Sequence, residues 1–310
     1  MTEFPHRLRL LVGAMLLLTG CRASSDATTR PMTVYAAGSL ARPLRAALDS
    51  IAATGGPTVR LEVMGSREIL RAITNLGKAP DLVVSADADE LERELIPRFA
   101  GASTTFARNR VVLALSSRSR VADTITQANW ADVLATGTLQ IARADPARAP
   151  LGYRTQMVWK LAEAELQRAG LAGRLSALSP DAMMRGNESD LAALLESGSS
   201  DAAWCYESLA RSLHLKYVTL GDHIDLGSTA DSALYDQVSV RIAGDRPGDS
   251  ILVTGKPIRY AMAVVTSGAD PIRATLLRDR LLDSASVRIM RRAGLDVLDT
   301  PRTTLPQPTP

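Results

Sequence analysis

From Met32 onward the apolar positions switch between two periods. Short runs of small and apolar residues at Thr33–Ala37, Val59–Met64 and Asp81–Ser85 read as buried strands, while Leu40–Ile51 and Arg67–Leu76 carry the apolar stripe of amphipathic helices. This alternation is the βαβ rhythm of a parallel sheet with crossover helices, and the fold class it predicts is α/β. Gly77 and Pro80 close the second helix as a C-cap and a breaker. A surface helix is expected at Glu90–Phe99, and Asn109–Leu115 reads as a strand that leaves this first unit. A second, similar rhythm follows. Leu139–Arg143 is a strand, Asp145–Gly152 a turn-rich loop, and Tyr153–Ala169 a helix with Met157, Leu161 and Leu166 on its apolar stripe. Leu191–Leu195 is helical, Gly198 ends it, and Ala202–Tyr206 is the next strand. Strands at Gln237–Ile242 and Lys256–Val265 and helices at Pro271–Leu282 and Ser286–Arg292 complete the pattern, and Thr300–Pro310, rich in Pro and Thr, reads as a disordered tail. No repeat of solenoid length is visible.

Two strand-to-helix joins carry candidate chemistry. Gly38-Ser39 delivers a serine to a helix N-cap, where its hydroxyl and the free backbone N–H groups face one point suited to an anion. Gly65-Ser66 repeats the arrangement, followed by a helix with Glu68 and Arg71 on its polar side. Cap preference alone explains either serine; two such starts facing one ligand is the functional reading.

With 310 residues and 46% hydrophobic content, the chain can build two lobes of ordinary domain size. A net charge of only +3, despite a pI near 9.0, leaves no basic face large enough for a polyanion, so nucleic acid is not an expected partner. His6, Arg7 and Arg9 precede the apolar run Leu10–Leu18, which is too short to span a bilayer and reads as a signal peptide. Its end, Leu18-Thr-Gly-Cys21, resembles a bacterial lipobox, which implies cleavage before Cys21, acylation of that cysteine and a lipid-anchored, extracytoplasmic protein. Arg22–Pro31 is then a tether. Cys205 is left without a partner, so no disulfide is expected. No HExxH, CxxC, Walker A or Gly-x-Ser-x-Gly pattern occurs, and His214 and His223 stand near no nucleophile motif; neither enzyme activity, a cofactor nor a resident metal is expected. The alternative from that class is a hydrolase built on Ser66 and a distant base.

The segments Ala37-Gly-Ser-Leu40, Gly65-Ser66, Gly77–Asp87, Phe106–Ala114, Asp145-Pro146, Pro150-Leu-Gly-Tyr-Arg154 and Gly255–Tyr260, in this order and spacing, resemble the extracytoplasmic molybdate/tungstate-binding proteins of ABC transporters, most closely the tungstate-type branch. The resemblance covers nearly all of the chain after Cys21. It implies a two-lobed periplasmic-binding-protein-like fold of type II, each lobe a mostly parallel sheet flanked by helices, with residues 32–112 and 262–299 in lobe I, residues 113–261 in lobe II and 300–310 as the tail. Two hinge strands at Val111–Leu115 and Ile258–Val265 would join the lobes. The implied ligand is a tetrahedral oxyanion, tungstate or molybdate, held by Ser39 and Ser66 from one lobe and by the Leu151 amide, an amide near Glu188 and Tyr206 from the other. The implied partner is an ABC permease, and the binder would act as a monomer.

The chemistry agrees: fully deprotonated molybdate or tungstate only accepts hydrogen bonds, which hydroxyls and helix-start amides supply. Taken by itself, Tyr206 reads equally as a core aromatic. In the tungstate-type branch a carboxylate stands where Cys205 is found, and a second acid is expected at Ala149. Asp145, Glu188 and Glu207 are either replacement ligands or turn, cap and surface residues, and Cys205 either a small buried hydrophobe or a soft ligand. Another oxyanion such as sulfate, or a small organic anion, is the alternative ligand.

Overall fold

The computed structural model describes residues 30–244 and 248–306. The expected signal peptide, Cys21 and the tether up to residue 29 lie outside these residues. Strand β1 (Met32–Ala37) is buried at every position, as a strand covered on both faces must be. It pairs in parallel with β2 (Val59–Met64) and with β3 (Leu82–Ser85), through the crossover helices α1 (Ala41–Ala53) and α2 (Ser66–Thr74). Helix α3 (Ala88–Leu95) leads to β4 (Ser103–Arg108), after which the chain crosses into β5 (Val111–Leu115) of a second sheet.

There the order is α4 (Trp130–Ala135), β6 (Ile141–Ala144), α5 (Pro150–Glu165), α6 (Leu171–Leu178), β7 (Met184–Arg185), α7 (Glu188–Ser197), β8 (Ala202–Tyr206), α8 (Glu207–Ser212), β9 (Tyr217–Val218) and α9 (Ser232–Tyr235). A separate antiparallel hairpin, β10 (Ser239–Ala243) with β11 (Ser250–Thr254), follows. The chain then returns to the first sheet with β12 (Arg259–Val264), α10 (Pro271–Leu281), α11 (Ser284–Arg292) and β13 (Asp296–Thr304).

The strand orders are β13-β4-β12-β3-β1-β2 and β7-β6-β8-β5-β9. Both sheets repeat one plan. Three parallel strands, with the first in the middle, are followed by a strand running the other way: β12 beside β3 in one sheet, β5 beside β8 in the other. Both sheets are therefore mixed, and helices flank them. The chain changes sheet twice, at Asn109–Arg110 and between β11 and β12, and the two crossings are tied by the Asn109 N–H donating to the Ile258 carbonyl at 3.2 Å. Buried apolar side chains of both sheets share one cluster, with Trp204 packed edge-on between Trp130 and Trp159, while Tyr35, Ile69, Ile73, Val83, Leu91 and Leu95 belong to a second one between the first sheet, α2 and α3.

Several boundaries differ from the sequence reading. The expected hinge strands each belong to a single sheet, β5 to the second and β12 to the first, so the crossing is confined to the residues before them. The first sheet is left after Arg108 and re-entered at Arg259, against lobe boundaries expected at 112 and 262. The tail expected to be disordered from Thr300 is ordered through Thr304, because β13 pairs with β4 as an edge strand; a register shift between Val297 and Arg302 accommodates Pro301. Helix α3 ends at Leu95, where Pro97 interrupts the pattern expected to run to Phe99. Pro150 starts α5 as a first-turn proline, which shortens the loop after Asp145. Among the described residues no helix is long and apolar enough to cross a membrane.

Candidate functional site

The C-terminal ends of β1, β2, β6 and β8 all face the junction between the two sheets, which is where open α/β sheets place their ligands. Four of the sequence motifs sit at these ends. After β1, Gly38–Leu40 forms a 3-10 turn, so Ser39 lies inside that turn rather than at a helix N-cap. Ser66 is the first residue of α2, with Gly65 as its cap, and its Oγ accepts from the Ala86 N–H at 3.0 Å. Both serines are buried, and neither is the cap that the Gly-Ser pattern predicted.

The opposite wall comes from the second sheet. Leu151 is buried in the first turn of α5, where its N–H precedes the first intrahelical bonds; the next N–H, that of Gly152, is taken by the Ala149 carbonyl at 3.0 Å. Gly152 allows that turn to press on the loop before it: a Cβ there would lie 2.3 Å from Pro146 N. Glu188 opens α7, and Asn187 caps the helix by accepting the Asp190 N–H. The two lobes meet closely at both glycines. A Cβ at Gly38 would come within 2.8 Å of Glu188 N, and one at Gly65 within 2.2 Å of the Arg148 carbonyl oxygen.

Hydrogen bonds tie these groups into a belt across the junction. Arg154, one turn along α5 from Leu151, donates through Nη1 to the Tyr206 hydroxyl and to the Ala86 carbonyl, both at 2.7 Å, and through Nη2 to Asp87 at 2.8 Å. The Tyr153 hydroxyl also donates to Asp87. The Tyr206 N–H donates to the Glu188 carboxylate at 2.9 Å, and the Ser39 hydroxyl lies beside that carboxylate. Ser39 in turn accepts from the Tyr260 hydroxyl at 2.9 Å, and Tyr260 accepts from Asn109 at 2.9 Å. Ser39, Glu188 and Tyr206 are thus tied to one another, and Ser66 joins them through Ala86, which gives its N–H to Ser66 and its carbonyl to Arg154.

The electrostatics of the belt are uneven. Burial would raise the Asp87 carboxyl, but the Arg154 guanidinium, the Tyr153 hydroxyl and the Glu90 N–H outweigh it and hold Asp87 below the usual carboxylate range. Burial likewise opposes the charge on Arg154, yet Tyr206, Asp87 and Tyr153 keep it firmly protonated. Glu188 is the reverse case. Burial pushes its carboxyl up to about 7 against the Tyr206 N–H, the Ser39 hydroxyl and the Arg154 charge, and its Oε2 has no hydrogen-bond partner.

The remaining candidates are placed elsewhere. Asp145 accepts the Ala147 N–H at 2.8 Å and shapes the loop into α5. Glu207 accepts from the Tyr217 hydroxyl at 3.0 Å and faces Arg110. The Cys205 thiol is fully buried; burial first, then the nearby Glu188 charge, raises it well above the ordinary thiol value, while contacts with backbone at Ala114 and Ala210 oppose that rise. It is a protonated core group. Ala149 is an extended residue before Pro150 and offers no oxygen from its side chain.

Sequence reading missed Arg154 and Asp87 as site residues, although both lie in segments quoted for the resemblance. A signal existed: Arg154 falls three residues after Leu151, on the same side of the helix. A further group, Arg67, is buried against Glu90 at 2.5 Å and reaches across to the carbonyls of Ala147 and Ala243, both at 3.3 Å. Behind Asp87 and Arg154 lies a cavity of about 530 Å³, walled by α2, α3, α5 and the β10–β11 hairpin.

Two lobes that close helix starts and hydroxyls around a buried junction define a protein that captures a solute. Residues 32–296 match the family of bacterial extracellular solute-binding proteins, and the chain belongs to that family; it is a binder rather than an enzyme. An uncharacterized solute-binding protein of Petrotoga mobilis is 34% identical over 252 residues, covering 80% of this chain and 78% of the relative. The molybdate/tungstate-binding protein WtpA of Pyrococcus abyssi is 28% identical over 329 residues, covering 95% and 94%. Among solved structures, the periplasmic molybdate-binding protein of Azotobacter vinelandii superposes with a TM-score of 0.60 at 20% identity, covering 89% of this chain and all of that one. The sulfate-binding protein of Mycobacterium tuberculosis gives 0.59 at 14% identity, covering 87% of each. These two share the fold.

Proposed function

We propose that this protein captures tungstate or molybdate between its two lobes and delivers the anion to the permease of an ABC importer, while a lipid on Cys21 holds it at the membrane. The observation that carries the reading is the convergence of Ser39, Ser66, Tyr206 and the starts of α5 and α7, from both lobes, on one buried junction. Such a cage offers donors to an anion that only accepts. The relative named for molybdate and tungstate, aligned along nearly the whole chain, supports the same choice. The bound anion is expected to remain four-coordinate, since Cys205 and Ala149 bring no carboxylate to the metal.

Calorimetric titration of the mature protein with tungstate, molybdate, sulfate and phosphate tests the reading. Tight binding of the first two over the others is the expected result, and preference for sulfate or absence of binding overturns it. A small organic anion is the second reading, favoured by the cavity behind Arg154, which exceeds the size of a tetrahedral oxyanion. For the anchor, Cys21→Ser should move the protein from the membrane to the soluble fraction.

A further inference from the structure

We propose that Glu188 donates a hydrogen bond from a protonated Oε2 to the captured anion, so that binding a fully deprotonated dianion takes up one proton from solvent. The inference rests on the oxyanion reading and adds to it a residue that sets which anion is accepted, and at which pH. Glu188 is 3% exposed and sits at the start of α7, whose N-terminus abuts the Gly38–Ser39 turn. Its Oε1 already accepts the Tyr206 N–H at 2.9 Å, and Ser39 and Tyr206, both assigned to the anion, are its neighbours. Its Oε2 is buried with no donor in hydrogen-bond geometry, the Ser39 hydroxyl being the side-chain donor that bears on the carboxyl. An ionised carboxylate left in this position beside a dianion would be repelled by it. A neutral carboxyl resolves both problems at once: the unpartnered oxygen becomes a donor, and the anion gains a fourth kind of hydrogen bond besides hydroxyl, amide and phenol.

The groups that face this carboxyl permit the change. Arg154 on α5 is the cation nearest by its effect, and it is already committed to Asp87, Tyr206 and Ala86. Cys205 and Tyr206 on β8 and Tyr260 on β12 are neutral and held so by burial. On β6 and β7, which also pack against α7, Arg143 is bound to the Ser179 carbonyl and Asp181, and Arg185 to the carbonyls of Ala182 and Met184. The 3-10 turn contributes only Ser39. With the lobes together burial pushes the carboxyl up to about 7, whereas parting them returns it to water and to the ordinary carboxylate range, so at neutral and higher pH the proton must be supplied as the lobes close on the anion.

Tungstate stays a monomeric dianion between pH 6.5 and 9, and calorimetry in buffers of different ionisation enthalpy counts the protons taken up. Uptake is expected to approach one proton per anion at both pH 6.5 and pH 8, with affinity falling about tenfold from pH 8 to 9. Glu188→Gln, which keeps an acceptor for the Tyr206 N–H and a fixed donor, should abolish the uptake and flatten the profile. Binding with no proton uptake and a flat wild-type profile would overturn the inference and leave the oxyanion reading standing. So would a tungsten first shell of more than four oxygens by X-ray absorption, since Glu188 would then act as an ionised ligand. Preference for protonated phosphate over tungstate would also overturn it, by showing Glu188 as an acceptor, and no binding of any anion would overturn both.

Discussion

The pair formed by Asp87 and Arg154 joins the lobes directly, and Asp87→Asn removes it while keeping the cap of α3. Both side chains are buried, at 6% and 4% exposure, with 2.8 Å between Arg154 Nη2 and Asp87 Oδ2. Asp87 also caps α3 by accepting the Glu90 N–H at 2.9 Å. Asparagine caps as well as aspartate, so the helix keeps its start through Oδ1, while the Nδ2 that replaces Oδ2 can accept from neither Arg154 nor the Tyr153 hydroxyl; the charge and both of those contacts are lost together. In the capture cycle proposed above, parting the lobes returns both groups to water. The consequence of the substitution then falls on closure and not on the folding of either lobe. Removing one charge of a buried, hydrogen-bonded pair costs about 2–5 kcal/mol. Arg154 retains Tyr206 and Ala86 as neutral acceptors at 2.7 Å, which places the loss in the lower part of that range. About 2–3 kcal/mol corresponds to tungstate binding weaker by roughly 30- to 150-fold. Titration calorimetry measures this, and small-angle scattering with and without tungstate reports whether saturated protein still closes. Affinity within threefold of wild type would refute the latch. So would a fall in unliganded stability as large as the loss in binding, which would make the pair a folding contact.

Three further outcomes are expected. Gly65→Ala keeps an ordinary backbone but sets a Cβ 2.2 Å from the Arg148 carbonyl oxygen of the other lobe, so tungstate affinity should drop by at least tenfold with the unliganded melting temperature nearly unchanged. Ser66→Ala should lower anion affinity by about 1.5–3 kcal/mol and, because it leaves the buried Ala86 N–H unsatisfied, reduce stability in denaturant melts by about 1–3 kcal/mol. Glu188 has its pKa raised from 4.5 to about 7 with the lobes together, so what it contributes to closure is complete below the open-form value and is lost as pH rises through 7. The closed fraction of unliganded protein in small-angle scattering should therefore fall between pH 5 and 7, and Glu188→Gln should remove up to about 1.4 kcal/mol per pH unit of that slope.

What the sequence disclosed depended on how local each feature is. The βαβ start was legible because β1, β2 and β3 are short apolar runs and α1 and α2 carry clear stripes, so burial on one side or both writes itself into the pattern. Strand β4, with Ser103, Thr104 and Thr105, shows no such run; it is buried because β12 and β13 arrive from the far end of the chain to flank it. Strand β13 was hidden by Pro301, which signals a loop in isolation and is tolerated at an edge with a register shift. The hairpin was half seen: β11 alternates intermediate and exposed residues as a strand should, but its partner β10 drew the only assignment.

The site divides along the same line. Ser39 and Ser66 follow strands and glycines, and that grammar is local, so their positions at the junction were readable even though their capping role was not. Arg154 lies amid an apolar helix face, where a lone arginine reads as a surface group. It is buried because Asp87, 67 residues away in sequence, crosses the junction to meet it, and no periodicity encodes that meeting. Glu188 is the sharpest instance. By sequence it was a helix-start residue valued for its amide or as a spare metal ligand; only the packing of α7 against the Gly38–Ser39 turn removes its carboxyl from water and leaves Oε2 unpartnered. Local chemistry thus placed the two serines, whereas the Asp87–Arg154 pair and the burial of the Glu188 carboxyl arise from contacts made when the two sheets meet.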